Sequence, residues 1–204
     1  MAGQAVTSVM IVGVGGQGTL LTSRVLARVA VKLGHDVKVS EVHGMAQRGG
    51  SVVSQVRFGP KVYSPIIKRG DADIVLAFEK LEAARWLGYL KQGGLLIIND
   101  ERVDPLPVMS GETKYPEDIA QKLCQVVPNS VLVDATGIAV GCGSAKAANM
   151  VLVGLLSSVM DIDPELVEEA IRELVSPAVL DLNLRAFHEG RAFWGNRAST
   201  ANIG

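Results

Sequence analysis

The stretch Val9-Met10-Ile11-Val12-Gly13-Val14-Gly15-Gly16-Gln17-Gly18-Thr19 decides the fold. Its first half, residues 9–14, is an apolar run of strand length. Gly13, Gly15 and Gly18 then fall at the G-x-G-x-x-G spacing. Over residues 19–33, Leu20, Leu21, Val25, Leu26, Val29 and Leu33 recur at helical period, and Gly34 closes the run. Strand, glycine turn and helix in that order begin a nucleotide-binding β-α-β unit. Gly13 permits the tight turn, Gly15 lets backbone approach a phosphate, and Gly18 lets helix and strand pack closely. The first amides of such a helix have no partner within it and lie at the positive end of its dipole, so the turn is a candidate anion site. The same spacing also suits a turn that only packs a helix on a sheet.

The next elements extend this unit. Residues 36–42 alternate at period two and form a second strand. Glu41 stands near its end, where a dinucleotide fold places a ribose-binding acid. His43-Gly44-Met45-Ala46-Gln47-Arg48-Gly49-Gly50-Ser51 follows as a loop on the ligand side of an open α/β sheet. Arg48, set among small residues, can grip a carboxylate or phosphate with two parallel hydrogen bonds. His43 could serve as an acid or base, though a loop histidine that is exposed or hydrogen-bonded is the plainer reading. Residues 51–58 alternate again, Gly59-Pro60 turns the chain, and residues 61–65 are expected to pair back as a hairpin.

Further on, residues 74–77 and the fully apolar 95–98 read as buried strands. A helix is expected between them over residues 79–90, stopped by Gly93-Gly94. Residues 104–111 are irregular, and residues 116–126 helical with Pro116 in the first turn. Residues 131–135 form another strand, residues 136–143 are small and glycine-rich, and residues 144–159 are helical. Asp163-Pro164 opens a helix to Leu174, with Asp163 as its N-cap. Residues 183–191 continue with helical character. The alternation of strands and helices predicts an α/β fold: a Rossmann-like three-layer sandwich, its sheet mostly parallel with an added antiparallel hairpin. One domain is expected over residues 1–195, with a polar, mobile tail over 196–204.

Composition excludes several functions. A net charge of −1 gives no electrostatic footprint for nucleic acid, and 4% aromatic residues leave little to stack bases on. Cys124 and Cys142 have no metal or redox spacing, so neither a metal site nor an iron–sulfur cluster is expected on this chain. Free thiols fit a cytoplasmic protein, and no secretory leader is evident. The most apolar window, residues 145–160, is short and interrupted by Lys146, Asn149 and Gly154, so no membrane span is expected.

Several blocks together carry a resemblance. Val12-Gly13-Val14-Gly15-Gly16-Gln17-Gly18, the loop from His43 to Val52, Asn149-Met150-Val151-Leu152-Val153-Gly154, and Asn183-Leu184-Arg185-Ala186-Phe187 with Gly190 resemble the gamma-type domain of 2-oxoacid:ferredoxin oxidoreductases. The likeness runs over nearly the full chain. The Met45-Ala46-Gln47-Arg48 version is most similar to the indolepyruvate branch, whose chain of this kind is its beta subunit. The resemblance implies a complex that oxidatively decarboxylates a 2-oxoacid to an acyl-CoA and passes electrons to ferredoxin. It implies that thiamine diphosphate and the iron–sulfur clusters sit on an alpha-type partner subunit. It implies that this domain packs on that partner and contacts coenzyme A. No thiamine motif of the G-D-G…N-N kind occurs here, so no catalytic residue is assigned. On this resemblance Gly13, Gly15, Gly16, Gln17 and Gly18 form one ligand-facing loop, and Gln47, Arg48 and Gly49 a second. Two other readings stay open: a free-standing NAD(P)-binding dehydrogenase, and an assembly scaffold whose loops hold no ligand. Self-pairing of the isolated chain stays open as well.

Overall fold

Val9 and Ile11 face one way along the first strand and Met10 and Val12 the other, and all four are completely buried. A strand buried on both faces has to lie inside a sheet covered by helices on both sides. The computed structural model describes residues 6–43 and 49–201, leaving aside the side chains of His43 and 197–201. Six strands are described: β1 (Thr7–Val14), β2 (Asp36–His43), β3 (Ser51–Gly59), β4 (Ala72–Ala77), β5 (Leu90–Asn99) and β6 (Ser130–Val133). They form one sheet in the order β2-β3-β1-β4-β5-β6. The β1–β4, β4–β5 and β5–β6 pairs are parallel, while β3 runs against both β1 and β2.

Period two sorts the strand residues into two cores. Val9, Ile11, Val56, Ile74, Leu76, Ile97 and Val131 join one cluster. It is closed by α1 (Thr19–Lys32), α5 (Ala135–Cys142), α6 (Ala148–Val159), α7 (Pro164–Leu174) and α8 (Leu180–Ala201). Met10, Val12, Val53, Val75, Leu96 and Ile98 join the other, closed by α2 (Lys80–Trp86) and α4 (Ile119–Val126). A four-residue helix, α3 (Leu106–Met109), lies in the segment after β5 that was expected to be irregular. Each fully buried Ile or Leu contributes roughly 1.5–3 kcal/mol. The result is the expected three-layer α/β sandwich.

The structure corrects several details. The antiparallel hairpin is β2–β3, not residues 51–58 with 61–65. Residues 61–65 form no strand because Pro60 and Pro65 bracket them and donate nothing to a ladder. Side chains fix that segment instead: Asp36 accepts from the Val62 amide at 2.9 Å, and Arg57 donates to the Ser64 carbonyl at 3.0 Å. Gly93-Gly94 does not stop a helix. The helix ends at Trp86, a 3-10 turn spans Leu87–Tyr89, and both glycines lie inside β5. There the β4–β5 register shifts, from Ala72 opposite Leu90 to Ile74 opposite Leu95, and Gly93 takes the positive φ of 74° that this bulge needs. Helix α4 starts after Asp118 rather than at Pro116, and α5 occupies much of the small, glycine-rich stretch.

Two glycines let α6 and α8 pack with backbones in contact. A Cβ on Gly154 would run into the Phe187 carbonyl oxygen, and one on Gly190 into the Val151 carbonyl oxygen. By contrast, a Cβ on Gly141 of α5 meets nothing within 4 Å. Gly154→Ala is therefore expected to cost roughly 3 kcal/mol, the upper part of the overpacking range. Gly141→Ala should instead gain about 0.5–1 kcal/mol. Chemical denaturation of the two variants reads the opposite signs directly.

Candidate functional site

The glycine turn closes on itself through Gln17. Its Oε1 accepts from the Val14 amide at 2.8 Å, and its Nε2 donates to the Phe78 carbonyl at 3.2 Å, at the end of β4. The Gln17 amide donates to the Val14 carbonyl at 3.2 Å. The side chain expected to face a ligand is therefore turned into the fold, where it ties the turn to β4. Gly13 leaves room for it: a Cβ there would sit 2.9 Å from Gln17 Oε1 and 2.9 Å from Phe78 Cβ.

Gly16 and Gly18 have φ of 105° and 88°. Gly18 is the N-cap of α1 and has no side chain to bond the first turn. The Thr22 amide donates to the Gly18 carbonyl at 3.1 Å, which begins the helical ladder. The amides of Thr19, Leu20 and Leu21 precede that ladder and have no partner within the helix. Asn149 of α6 presses on Gly18 from behind: a Cβ on Gly18 would lie 2.9 Å from Asn149 Nδ2. Asn149 is buried, and its Oδ1 has no hydrogen-bond partner among the described residues.

The described end of the second loop, Gly49 and Gly50, comes back to this turn. Ser51 opens β3 opposite Val14, the last residue of β1. Just before it, the Gly50 carbonyl accepts from the Gly15 amide at 2.9 Å. Ser51 is held in turn by Glu82 of α2, a 3% exposed carboxylate that accepts from its hydroxyl and from Arg85 at 2.9 Å. Gly49, at φ 78°, is exposed beside the turn. Gln47 and Arg48 lie outside the described residues, as does the side chain of His43. Since Gly15 bonds Gly50 and Gln17 bonds Val14, the turn amides without a backbone partner among the described residues are those of Gly16, Gly18 and the first turn of α1.

Between this turn and β2–β3 lies a cleft of about 440 Å³, lined by Gly15, Gly16, Gly18, Thr19, Leu20, Glu41, Val52 and Ser54. Ser23 Oγ lies 3.1 Å from Glu41 Oε1 and 2.9 Å from the Leu20 carbonyl, so the carboxylate leans on α1. Ser54 is fully buried, and its hydroxyl has no partner among the described residues. Sequence reasoning missed Ser54, yet it left a signal: Ser54 interrupts an otherwise apolar Val52, Val56, Phe58 face. In register, Glu41 pairs with Ser54 and Ser54 with Ile11. Glu41 is thus two strand spacings of about 4.8 Å from β1. A dinucleotide fold places its ribose-binding acid on the strand next to β1, and here β3 occupies that place.

The rim beyond α2 has a second polar group that the sequence did not disclose. Glu79 is 1% exposed and caps α2 by accepting from the Glu82 amide at 2.9 Å. Tyr115 donates to it, and the Arg102 guanidinium stacks 4.5 Å from the Tyr115 ring centre. Burial, then the bond to Glu79, pushes the Tyr115 hydroxyl pKa well above its usual value, so the phenol keeps its proton.

Residues 8–193 match the family described as pyruvate ferredoxin/flavodoxin oxidoreductase. The chain belongs to that family. The indolepyruvate oxidoreductase subunit IorB of Archaeoglobus fulgidus is 44% identical over 90% of this chain and 92% of its own length. Among solved structures, the gamma subunit of a keto/oxoacid ferredoxin oxidoreductase from Geobacter sulfurreducens shares the fold with a TM-score of 0.67 at 22% identity, over 90% of this chain and 95% of that one. The 2-oxoglutarate:ferredoxin oxidoreductase of Magnetococcus marinus, solved with 2-oxoglutarate, coenzyme A and succinyl-CoA bound, shares it with a TM-score of 0.71 at 21% identity. That match covers 94% of this chain but 31% of the other, so the fold there is one part of a longer polypeptide. In this member of the family, no group of three or more His, Cys, Asp or Glu placed to hold a metal occurs among the described residues. No helix among them is long and apolar enough to cross a membrane.

The turn yields three expectations. Gly16→Ala meets no neighbour within 4 Å and should cost about 1–2 kcal/mol, from its positive φ alone. Gly18→Ala adds a collision with Asn149 and should cost about 1 kcal/mol more, measured as the difference in denaturation midpoint. Gln17→Leu leaves the Val14 amide without its acceptor, while the Phe78 carbonyl keeps its bond from Asn99 at 3.2 Å, and should cost about 1–2 kcal/mol. Faster hydrogen exchange at Val14 than at Ile11 in that variant would locate the loss in the turn.

Proposed function

We propose that the chain is the gamma-type, non-catalytic subunit of an indolepyruvate-type 2-oxoacid:ferredoxin oxidoreductase. In that complex an aryl 2-oxoacid loses carbon dioxide, its acyl group passes to coenzyme A, and the electron pair leaves through iron–sulfur clusters to ferredoxin. Thiamine diphosphate and the clusters belong to the alpha-type partner, and ferredoxin meets this chain only through the complex. One observation carries the reading: the near full-length likeness to an indolepyruvate oxidoreductase subunit at 44% identity.

The contribution of this chain is to pack on the partner and to hold coenzyme A. Gly16, Gly18 and the first turn of α1 supply amides for an anionic group of that cofactor, and Gly13 and Gln17 hold the turn in shape. Gln47, Arg48 and Gly49 supply the facing loop, with the Arg48 guanidinium as its charge. The orphaned Ser54 hydroxyl in the lining of the cleft favours a ligand here. The place of the complex is the cytoplasm. A free-standing NAD(P) dehydrogenase is disfavoured by β3, which separates Glu41 from β1.

Alone, the purified chain is expected to show no turnover and no visible absorbance. Combined with the thiamine- and iron–sulfur-bearing subunit, it should restore ferredoxin reduction that depends on both indolepyruvate and coenzyme A. Titration of the isolated chain with coenzyme A and with NADH, followed by Trp86 and Trp194 fluorescence, separates the readings. Tight NADH binding without coenzyme A binding would reverse them.

A further inference from the structure

The cleft beside the glycine turn is not uniform. At one end are backbone amides, which favour a phosphate. At the other is the Glu41 carboxylate, which repels one. Between them the walls are Leu20 and Val52. Glu41 Oε1 lies near Ser23 Oγ, and no described residue donates to Oε2. Across the β2–β3 pair, on the same face of the sheet, sits Ser54, whose buried hydroxyl has neither donor nor acceptor among the described residues. Paired residues on neighbouring antiparallel strands bring their Cβ atoms within about 5.5 Å of each other. An acceptor and a donor at that spacing in an apolar groove match the N–H and the carbonyl of a secondary amide.

We propose that Glu41 and Ser54 are specificity-determining residues that select a neutral, amide-bearing arm for the cleft and keep phosphorylated groups at the glycine turn. The proposal rests on the reading of this cleft as a coenzyme A site. Coenzyme A carries both halves: a phosphorylated adenosine end, and a pantetheine arm with two amides joined by methylenes. Pantetheine lies along Leu20 and Val52. Its amide N–H donates to Glu41 Oε2, and its carbonyl accepts from Ser54. The diphosphate reaches the first turn of α1.

The test is calorimetric titration of the full chain with four probes: coenzyme A, pantetheine, adenosine 3′,5′-bisphosphate and inorganic diphosphate. Glu41→Gln should weaken coenzyme A and pantetheine together by about 5- to 10-fold, as loss of a charge-assisted hydrogen bond requires. It should leave adenosine 3′,5′-bisphosphate unchanged or tighter. Ser54→Ala removes a hydroxyl with no partner, so the unfolding temperature should not fall while coenzyme A weakens by about 3-fold. Wild-type affinity for coenzyme A in both variants overturns the proposal while leaving the coenzyme A site in place. So does a Glu41→Gln effect confined to the bisphosphate. If the wild-type chain binds neither coenzyme A nor diphosphate, the site and the proposal fall together.

Discussion

The structure depends on the direction of β3. A parallel neighbour for β1 would arrive only after a crossover, and its leading loop would end at the far edge of the sheet. Because β3 is antiparallel, it begins where β1 ends, with Ser51 opposite Val14. Gly49 and Gly50, which lead into β3, are thereby brought to the rim where the glycine turn stands. The Gly15–Gly50 hydrogen bond seals the junction, and Glu82 holds Ser51 from the far side. Reversal of one strand thus creates the two-loop rim and also displaces Glu41 outward by one strand. Both consequences bear on the ligand: the first supplies a cleft, and the second removes the geometry by which a dinucleotide fold grips ribose.

How much of this the sequence discloses follows from the range of each interaction. β1, the turn and α1 were legible because their signals are local: an apolar run, glycine spacing and a 3.6-residue period. The Asp163 cap and Pro164 were legible for the same reason, and Asp163 does accept from the Glu165 amide at 2.9 Å. Pairing partners were not legible. Residues 61–65 follow the Gly59-Pro60 turn as a returning strand would, but a turn carries no information about which edge is free, and β2 had already taken that edge of β3. Gly93-Gly94 was misread because a glycine pair suits a helix stop and a bulge equally, and only the register with β4 decides.

The site shows the same division. The glycines stood out by spacing. The direction of Gln17 did not, since it is set by the Phe78 carbonyl sixty-one residues away. Glu79 and Glu82 look in sequence like the solvated start of a helix, yet both are buried. Their burial is tolerable because each carboxylate receives donors, from Tyr115 and the Glu82 amide in one case and from Ser51 and Arg85 in the other. These partners come from other elements, so no local pattern announces them. Gln47 and Arg48 belong to the expected second loop but lie outside the described residues, and their part in the site rests on the family likeness.

A non-catalytic subunit needs rigidity more than reactive groups, and the turn is rigid. The Gly15 amide bonds Gly50, the Gln17 amide and side chain bond β1 and β4, and Asn149 blocks retreat at Gly18. Every fixed group narrows what can still face a ligand, until the free donors are those at Gly16, Gly18 and the first turn of α1. Backbone amides held this way need no reorganisation when an anion arrives, so little binding energy is lost to ordering the protein. The Ser54 hydroxyl, like Asn149 Oδ1 beside Gly18, has no partner among the described residues. A buried hydroxyl left unbonded costs stability. Its presence on the floor of the cleft is therefore better explained by what the cleft receives than by what holds the fold together.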